Sequence, residues 1–304
     1  MEKVQVVSEP ASESWGGLWT KQKLDAFIDY VKAYLRIMKS YPYWKTIYFD
    51  GFAGSGERLK KHNSSQITLD IELDESVSMN EINLYKGSVQ RILELDEMTF
   101  DYYYFIDTEP KNIQKINKLK KTISHIPENR IIARESDCNA QIRQLAKAFK
   151  SKKLAALVFL DPFGMQINWE SIASLKGTRT DVWILIPSGV SVNRLLPRSG
   201  EVANQQKLEK FFGMEFNALH NFFYRNDKSD TLFGEMSRTQ KLDNPIERVV
   251  ELYKMQLKTI WKHVTEKPLV LKNTRNVPIF HFLFASNNEN AMKIASQIIQ
   301  KKQM

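Results

Sequence analysis

One cysteine, Cys138, stands in 304 residues. A lone thiol excludes an intramolecular disulfide framework and any zinc or iron–sulfur site built on several cysteines. Histidine is almost as scarce: His62, His125, His220, His263 and His281 lie far apart with no H-E-x-x-H pair, so no metal site is expected from sequence-local histidines. No apolar run reaches the ~18 residues of a membrane-spanning helix. The opening Met1-Glu2-Lys3-Val4 lacks the charged-then-apolar order of a signal peptide. The expected location is the cytoplasm, with no membrane partner.

What is present is an ordinary globular mixture, 42% apolar and 26% charged, enough for one large domain or two modest ones. Lysine and arginine number 44 against 35 acidic residues, a formal charge of +9. Such a surplus favours polyanionic partners, nucleic acid first, although it also serves plain solubility.

Residues 1–18 read as a loose arm. Leu24, Phe27, Val31, Leu35 and Met38 then recur at helical steps, predicting an amphipathic helix over 20–39 that Pro42 stops. Five apolar stretches follow that read as buried strands: Thr46–Phe49, Tyr102–Ile106, Ile131–Ala133, Leu154–Leu160 and Val182–Ile186. Helical patterns separate most of them, and residues 57–86 are polar and turn-prone, with alternation at 67–71 that suits a hairpin arm. Strands alternating with helices predict a parallel sheet covered on both faces, with ligands at the carboxyl ends of the strands. From 191 to 268 the pattern becomes helical and aromatic, an expected insertion or cap. A returning strand over 277–284 and a closing helix over 291–299 complete the chain. The expected domains are therefore 1–190 with 269–304, and the insertion 191–268.

The turn Asp50-Gly51-Phe52-Ala53-Gly54-Ser55-Gly56 admits three readings. A P-loop would place Lys-Ser/Thr after Gly56, where Glu57-Arg58 stands; a dinucleotide fingerprint would place a third glycine at Leu59. An S-adenosylmethionine pocket asks for small residues after the first strand, a carboxylate for the ribose after the second, and a polar side chain for the adenine after the third. Asp50 to Gly56, Asp107 and Asp137 occur in that order, although turns hold Gly and Asp without any ligand too.

After the fourth strand, Asp161-Pro162-Phe163-Gly164 resembles the D-P-P-Y motif of amino-group methyltransferases. There the acid and the proline carbonyl accept the target amine's hydrogens and an aromatic ring stacks on the flipped base. Here Phe163 replaces the second proline and Gly164 the aromatic residue. A plain strand-ending turn is the structural alternative.

Together with Trp19-Thr20-x-x-Lys23-Leu24, Gly87-Ser88, Phe105-Ile106-Asp107, Asp137-Cys138-Asn139 and Phe282-Leu283-Phe284-Ala285-Ser286, these motifs resemble the three-Cys-motif partner protein (TcmP) family. The resemblance implies a Rossmann-like class I S-adenosylmethionine-dependent methyltransferase fold with a helical insertion. It also implies a companion carrying three cysteines and resembling a radical-S-adenosylmethionine protein. On this reading Asp50, Phe52, Ala53, Gly54, Gly56, Asp107, Glu109, Asp137, Cys138 and Asp161 bind the cofactor S-adenosyl-L-methionine, and Asp161, Pro162 and Phe163 are catalytic. The expected activity is methyl transfer to nucleic acid, DNA or RNA. Two alternatives stand beside it. One is a catalytically silent protein that keeps the cofactor pocket. The other is a magnesium-dependent nuclease built on Asp107-Thr108-Glu109-Pro110-Lys111.

The lysines of 111–121 suit phosphate contacts or simply a solvated helix side. Cys138 suits a buried apolar position, His281 a hydrogen-bonded core position, Trp19 a packing anchor, and Lys23 remains a possible pocket cation. The aromatics of 191–268 suit a single-strand groove or a small satellite core.

Overall fold

The computed structural model describes residues 17–54, 88–150, 153–231, 234–273 and 275–303. Ser55, Gly56, Gly87 and the alternating segment 67–71 lie outside them. Helix α1 (Gly17–Met38) precedes strand β1 (Lys45–Asp50). Then come β2 (Tyr102–Asp107), α2 (Pro110–Leu119), β3 (Ile131–Glu135), α3 (Cys138–Phe149), β4 (Leu154–Leu160), α4 (Trp169–Ala173) and β5 (Thr180–Ile186).

Helices α5 (Gln205–Phe212) and α6 (Phe216–Phe223) follow, then strands β6 (Tyr224–Thr231) and β7 (Gly234–Lys241), and helix α7 (Pro245–Lys258). Strands β8 (His263–Val264), β9 (Leu269–Lys272) and β10 (Pro278–Ser286) and helix α8 (Glu289–Gln303) close the chain. Among the described residues no helix is long and apolar enough to cross a membrane.

The main sheet runs β3-β2-β1-β4-β5-β10-β8, with β9 also paired to β10. β1 to β5 are parallel, and β10 returns antiparallel against β5. From β1 the chain builds outward through β2 and β3, then crosses back to place β4 on the other side. In open sheets of this kind such a reversal marks where ligands bind, here the carboxyl ends of β1 and β4. This strand order, with β10 antiparallel between β5 and β8, is the Rossmann-like fold of class I S-adenosylmethionine-dependent methyltransferases.

Alternation along each strand feeds two cores. Ile47, Phe49, Ala156, Val158 and Leu160 face one layer, which holds Ile142 of α3 and Val249, Leu252, Tyr253 and Leu257 of α7. Tyr48, Leu157, Phe159, Trp183 and Phe284 face the other, closed by Leu24, Phe27, Tyr30 and Val31 of α1 and by Ala295 and Ile299 of α8. Aromatic stacking dominates this second layer: Phe27 lies 4.2 Å from Phe159, and Trp183 4.7 Å from Phe282.

The segment 191–268 departs from the expected all-helical cap in two ways. Its polar middle forms the antiparallel pair β6–β7, since alternating polar residues with threonine suit a two-stranded ribbon as well as a helix. Its aromatics do not make a separate satellite core. Phe211, Phe212 and Phe223 pack with Tyr253 into the same layer as Ile47 and Val158. The first helix also starts earlier than the expected 20–39, so Trp19 is helical and packs 5.1 Å from Phe280.

His281 sits inside β10, 6% exposed, with its Nδ1 2.7 Å from Ser188 Oγ. Burial lowers its pKa from 6.5 to about 4. Between those values the unfolded chain binds the proton that the folded chain refuses, so this contribution to stability is complete above pH 6.5 and is lost as pH falls towards 4. His281→Asn removes the titration. In urea denaturation, the stability gap between wild type and variant should narrow by up to about 3 kcal/mol from pH 7 to pH 4. An unchanged gap would contradict a neutral core histidine.

Candidate functional site

Three neighbouring strands end on acid: Asp50 closes β1, Asp107 closes β2, and Asp161 follows β4. All three side chains are buried. The turn after β1 is wedged between its neighbours. Gly51 N–H donates to the Phe159 carbonyl of β4 at 3.0 Å, and Ala53 N–H to the Ile106 carbonyl of β2 at 2.9 Å. Asp50 Oδ1 accepts from Phe52 N–H at 3.1 Å and so curls the turn back on itself.

Small residues are required here by space. A Cβ at Gly51 would fall 2.4 Å from Cys138 Sγ and 2.9 Å from Leu160 Cδ2. Gly54 adopts φ +112°, which other residues rarely reach. Its carbonyl accepts from Asn112 Nδ2 of α2, which ties the turn to the neighbouring helix.

Asp107 Oδ1 accepts from Glu109 N–H at 2.6 Å, so the carboxylate organises the turn into α2, with Glu109 at the residue before that helix. Asp137 caps α3 instead, accepting from Ala140 N–H at 3.0 Å on an exposed rim. Cys138 lies in the core beneath Gly51, and burial pushes its thiol well above the usual range. Its side chain is therefore a packing group, in line with the apolar alternative.

Burial raises Asp50 to about 7; the Phe52 N–H opposes the rise, the charges of Asp161 and Asp107 add to it, and Tyr48 opposes it through its hydroxyl. The strand ends thus share one electronegative neighbourhood, which favours cationic ligands.

Asp161 carries the least expected feature. Lys23 Nζ of α1 reaches both its oxygens, at 2.8 and 2.7 Å, with the two side chains only 3% and 4% exposed. The ammonium also lies 5.2 Å from the Trp19 ring centre. A cavity of about 20 Å³, room for about one water, is lined by Trp19, Thr20, Lys23, Pro162 and Phe163 among others. Thr20 Oγ1 is buried without a hydrogen-bond partner among the described residues. Phe163 is half-buried, with its N–H on Gln166 Oε1. Asn139 fixes the same loop, donating to the Gln166 carbonyl and accepting from Asn168 N–H, each at 2.8 Å.

The structure therefore brings Asp50, Phe52, Ala53, Gly54, Asp107, Glu109 and Asp161 to one end of the sheet, with Asp137 on the next strand outward. Gly56 lies outside the described residues. The supporting roles of Asn112 and Asn139 carried no sequence signal, because each acts on a loop from a different strand–helix unit. The Lys23 pairing was equally hidden: 138 residues separate it from Asp161.

A buried pair stripped of one partner leaves a charge without compensation. Lys23→Met should cost about 3–5 kcal/mol in chemical denaturation, whereas Lys23→Met with Asp161→Leu should return to within about 1–2 kcal/mol of wild type. Equal losses in both would refute the ion pair. Separately, Gly51→Ala should cost about 1–3 kcal/mol by overpacking, and a double-mutant cycle with Cys138→Ala should show coupling of about 0.5–3 kcal/mol. Zero coupling would mean that the thiol does not press on the turn.

No family model and no curated protein matches this chain. Eleven chains of solved structures do. A conserved hypothetical protein of Streptococcus pyogenes shares 14% identity at a TM-score of 0.28, covering 68% of this chain and 94% of its own. Spermidine synthase from Thermotoga maritima shares 10% at 0.39, and a spermidine synthase in complex with the transition-state analogue AdoDATO shares 9% at 0.37. These two alignments cover 93% and 92% of this chain but only 64% and 62% of theirs. The fold assignment rests on strand order rather than on these likenesses.

Proposed function

We propose that this protein is an S-adenosylmethionine-dependent methyltransferase acting on nucleic acid, at an amino group of a base. The observation that carries this reading is the meeting of a small-residue turn with three buried aspartates at the sheet's switch point. The residues fit the cofactor: the turn through Gly54 lets backbone come close, and the buried carboxylates suit a positively charged nucleoside. S-adenosylmethionine, when bound, supplies an electrophilic methyl group on a cationic sulfur.

Asp107 accepts from the ribose hydroxyls in this reading, with Glu109 beside it and Asp137 towards the adenine. Asp161 and the Pro162 carbonyl accept the hydrogens of the acceptor amine and keep its lone pair free, while Phe163 stacks on the base. Such a reaction needs little beyond alignment of nucleophile and methyl. The basic charge of the chain and the exposed Lys111, Lys115 and Lys118 of α2 suit a phosphate backbone. A three-cysteine, radical-S-adenosylmethionine-like companion is part of the proposal on the motif resemblance to the three-Cys-motif partner family alone.

A second reading is favoured by one observation. Lys23 already fills both oxygens of Asp161, the place where an acceptor amine belongs. A catalytically silent protein that binds the cofactor and docks a companion would keep that pair closed. Among the described residues no three His, Cys, Asp or Glu side chains gather in a group that could hold a metal ion, so no observation favours the nuclease alternative.

Calorimetric titration with S-adenosylmethionine should give saturable heat, with about tenfold weaker binding in Asp107→Ala from the lost charged hydrogen bond. Asp161→Ala should retain binding and lose incorporation of labelled methyl into DNA or RNA. Absence of binding by wild type overturns both readings; binding without transfer to either polymer selects the silent one.

A further inference from the structure

A wide hollow lies at the other end of the sheet, where β4 and β5 begin. It encloses about 800 Å³ between the last turns of α1, the loop 41–44, the start of β5 and the loop leading into α8. That volume is within the range of small-molecule sites.

Its floor is a carboxylate. Asp181 accepts from Tyr30 Oη at 2.7 Å and from Ser286 Oγ at 2.5 Å, one hydroxyl on each oxygen. A carboxylate oxygen accepts two hydrogen bonds, so each retains one place for a donor. Burial raises the Asp181 pKa, with the two hydroxyls and Arg179 opposing the rise. An N–H donor from a ligand would further stabilise its charged form. Beside it, the Tyr34 hydroxyl is buried and has no partner among the described residues.

The rim is aromatic and cationic beside β5, while Glu289 lies across it at the start of α8. Arg179 lies 3.9 Å from the Trp44 ring centre, Tyr43 packs 5.4 Å from Trp44, and Tyr43 remains 65% exposed. Lys150 adds a second exposed cation. Arg179 immediately precedes β5 and Asp181 is its second residue, so their Cα atoms lie about 7 Å apart. One ligand can therefore meet both side chains. A purely cationic ligand would meet Arg179 and Lys150, whereas one with a donor head, a flat body and an anionic tail meets a complement at each point.

We propose that this groove binds a nucleotide whose base carries an exocyclic amine. The amine donates to Asp181, the ring stacks against Trp44 and Tyr43, and the phosphate pairs with Arg179 and Lys150. The site is remote from the strand ends that hold Asp107 and Asp161 and does not rest on the methyltransferase reading. The same chemistry is offered by a free mononucleotide or by one unit of a single strand.

Calorimetry on the full chain, saturated with S-adenosylhomocysteine to occupy the other end of the sheet, tests this. Cytidine and guanosine monophosphates should bind at least about tenfold tighter than uridine monophosphate, the difference of one hydrogen bond to a charged group. Trp44→Ala and Arg179→Ala, both on the rim, should each weaken cytidine monophosphate by a similar factor. They serve as probes should Asp181→Asn fail to fold. Cytidine trinucleotide binding tighter than the monomer identifies a strand as the source; equal or weaker binding identifies the free nucleotide. The proposal is overturned if neither amino nucleotide binds, if uridine monophosphate binds equally well, or if the two rim variants bind like wild type. Competition by S-adenosylhomocysteine would overturn it as well.

Discussion

Three carboxylates are buried at the ends of neighbouring strands, and much else follows from the cost of placing them there. Burying a carboxylate is unfavourable unless hydrogen bonds or a counter-charge compensate. Asp50 and Asp107 each accept a backbone N–H two residues on, which converts part of that cost into turn geometry. Asp161 instead draws in Lys23 from the opening helix. The tension that remains is visible in Asp50, which burial and its acidic neighbours hold near pH 7.

That compensation joins stability to chemistry. Lys23 lies on the stripe of α1 whose other members, Leu24, Phe27 and Val31, cover the aromatic layer of the sheet. Its ammonium therefore arrives at Asp161 on a packed helix, close to Trp19 and with little freedom to swing away. An acceptor amine at Asp161 has to compete with an intramolecular one that is already in place. Asp50 and Asp107 each organise their own turn through a backbone N–H.

The sheet was legible because buried parallel strands read as short apolar runs and their turns as acid, glycine and proline. Leu154–Leu160 matches its strand residue for residue, and the others differ by only a few residues at their ends. The order of Asp50, Asp107 and Asp161 along the chain was likewise enough to place them together, since consecutive parallel strands deliver their ends to one edge. What stayed hidden was non-local or ambiguous. The Lys23–Asp161 pair joins positions 138 residues apart, Asn139 props a loop of the following unit, and Cys138 is pinned by a glycine across the turn. The β6–β7 pair was missed because a polar sequence fits a helix surface as readily as a two-stranded ribbon.

The two ends of the sheet solve the same electrostatic problem differently. At the carboxyl ends an aspartate is closed by lysine and the adjoining cavity shrinks to about 20 Å³. At the amino ends Asp181 is held by two neutral hydroxyls, and the space beside it stays open at about 800 Å³. A lysine counter-ion brings a long side chain that fills the volume next to the acid, whereas the hydroxyl donors of Tyr30 and Ser286 leave the hollow beside Asp181 open. The choice of counter-group thus decides which carboxylate a ligand can approach directly and which it reaches only by displacing part of the protein.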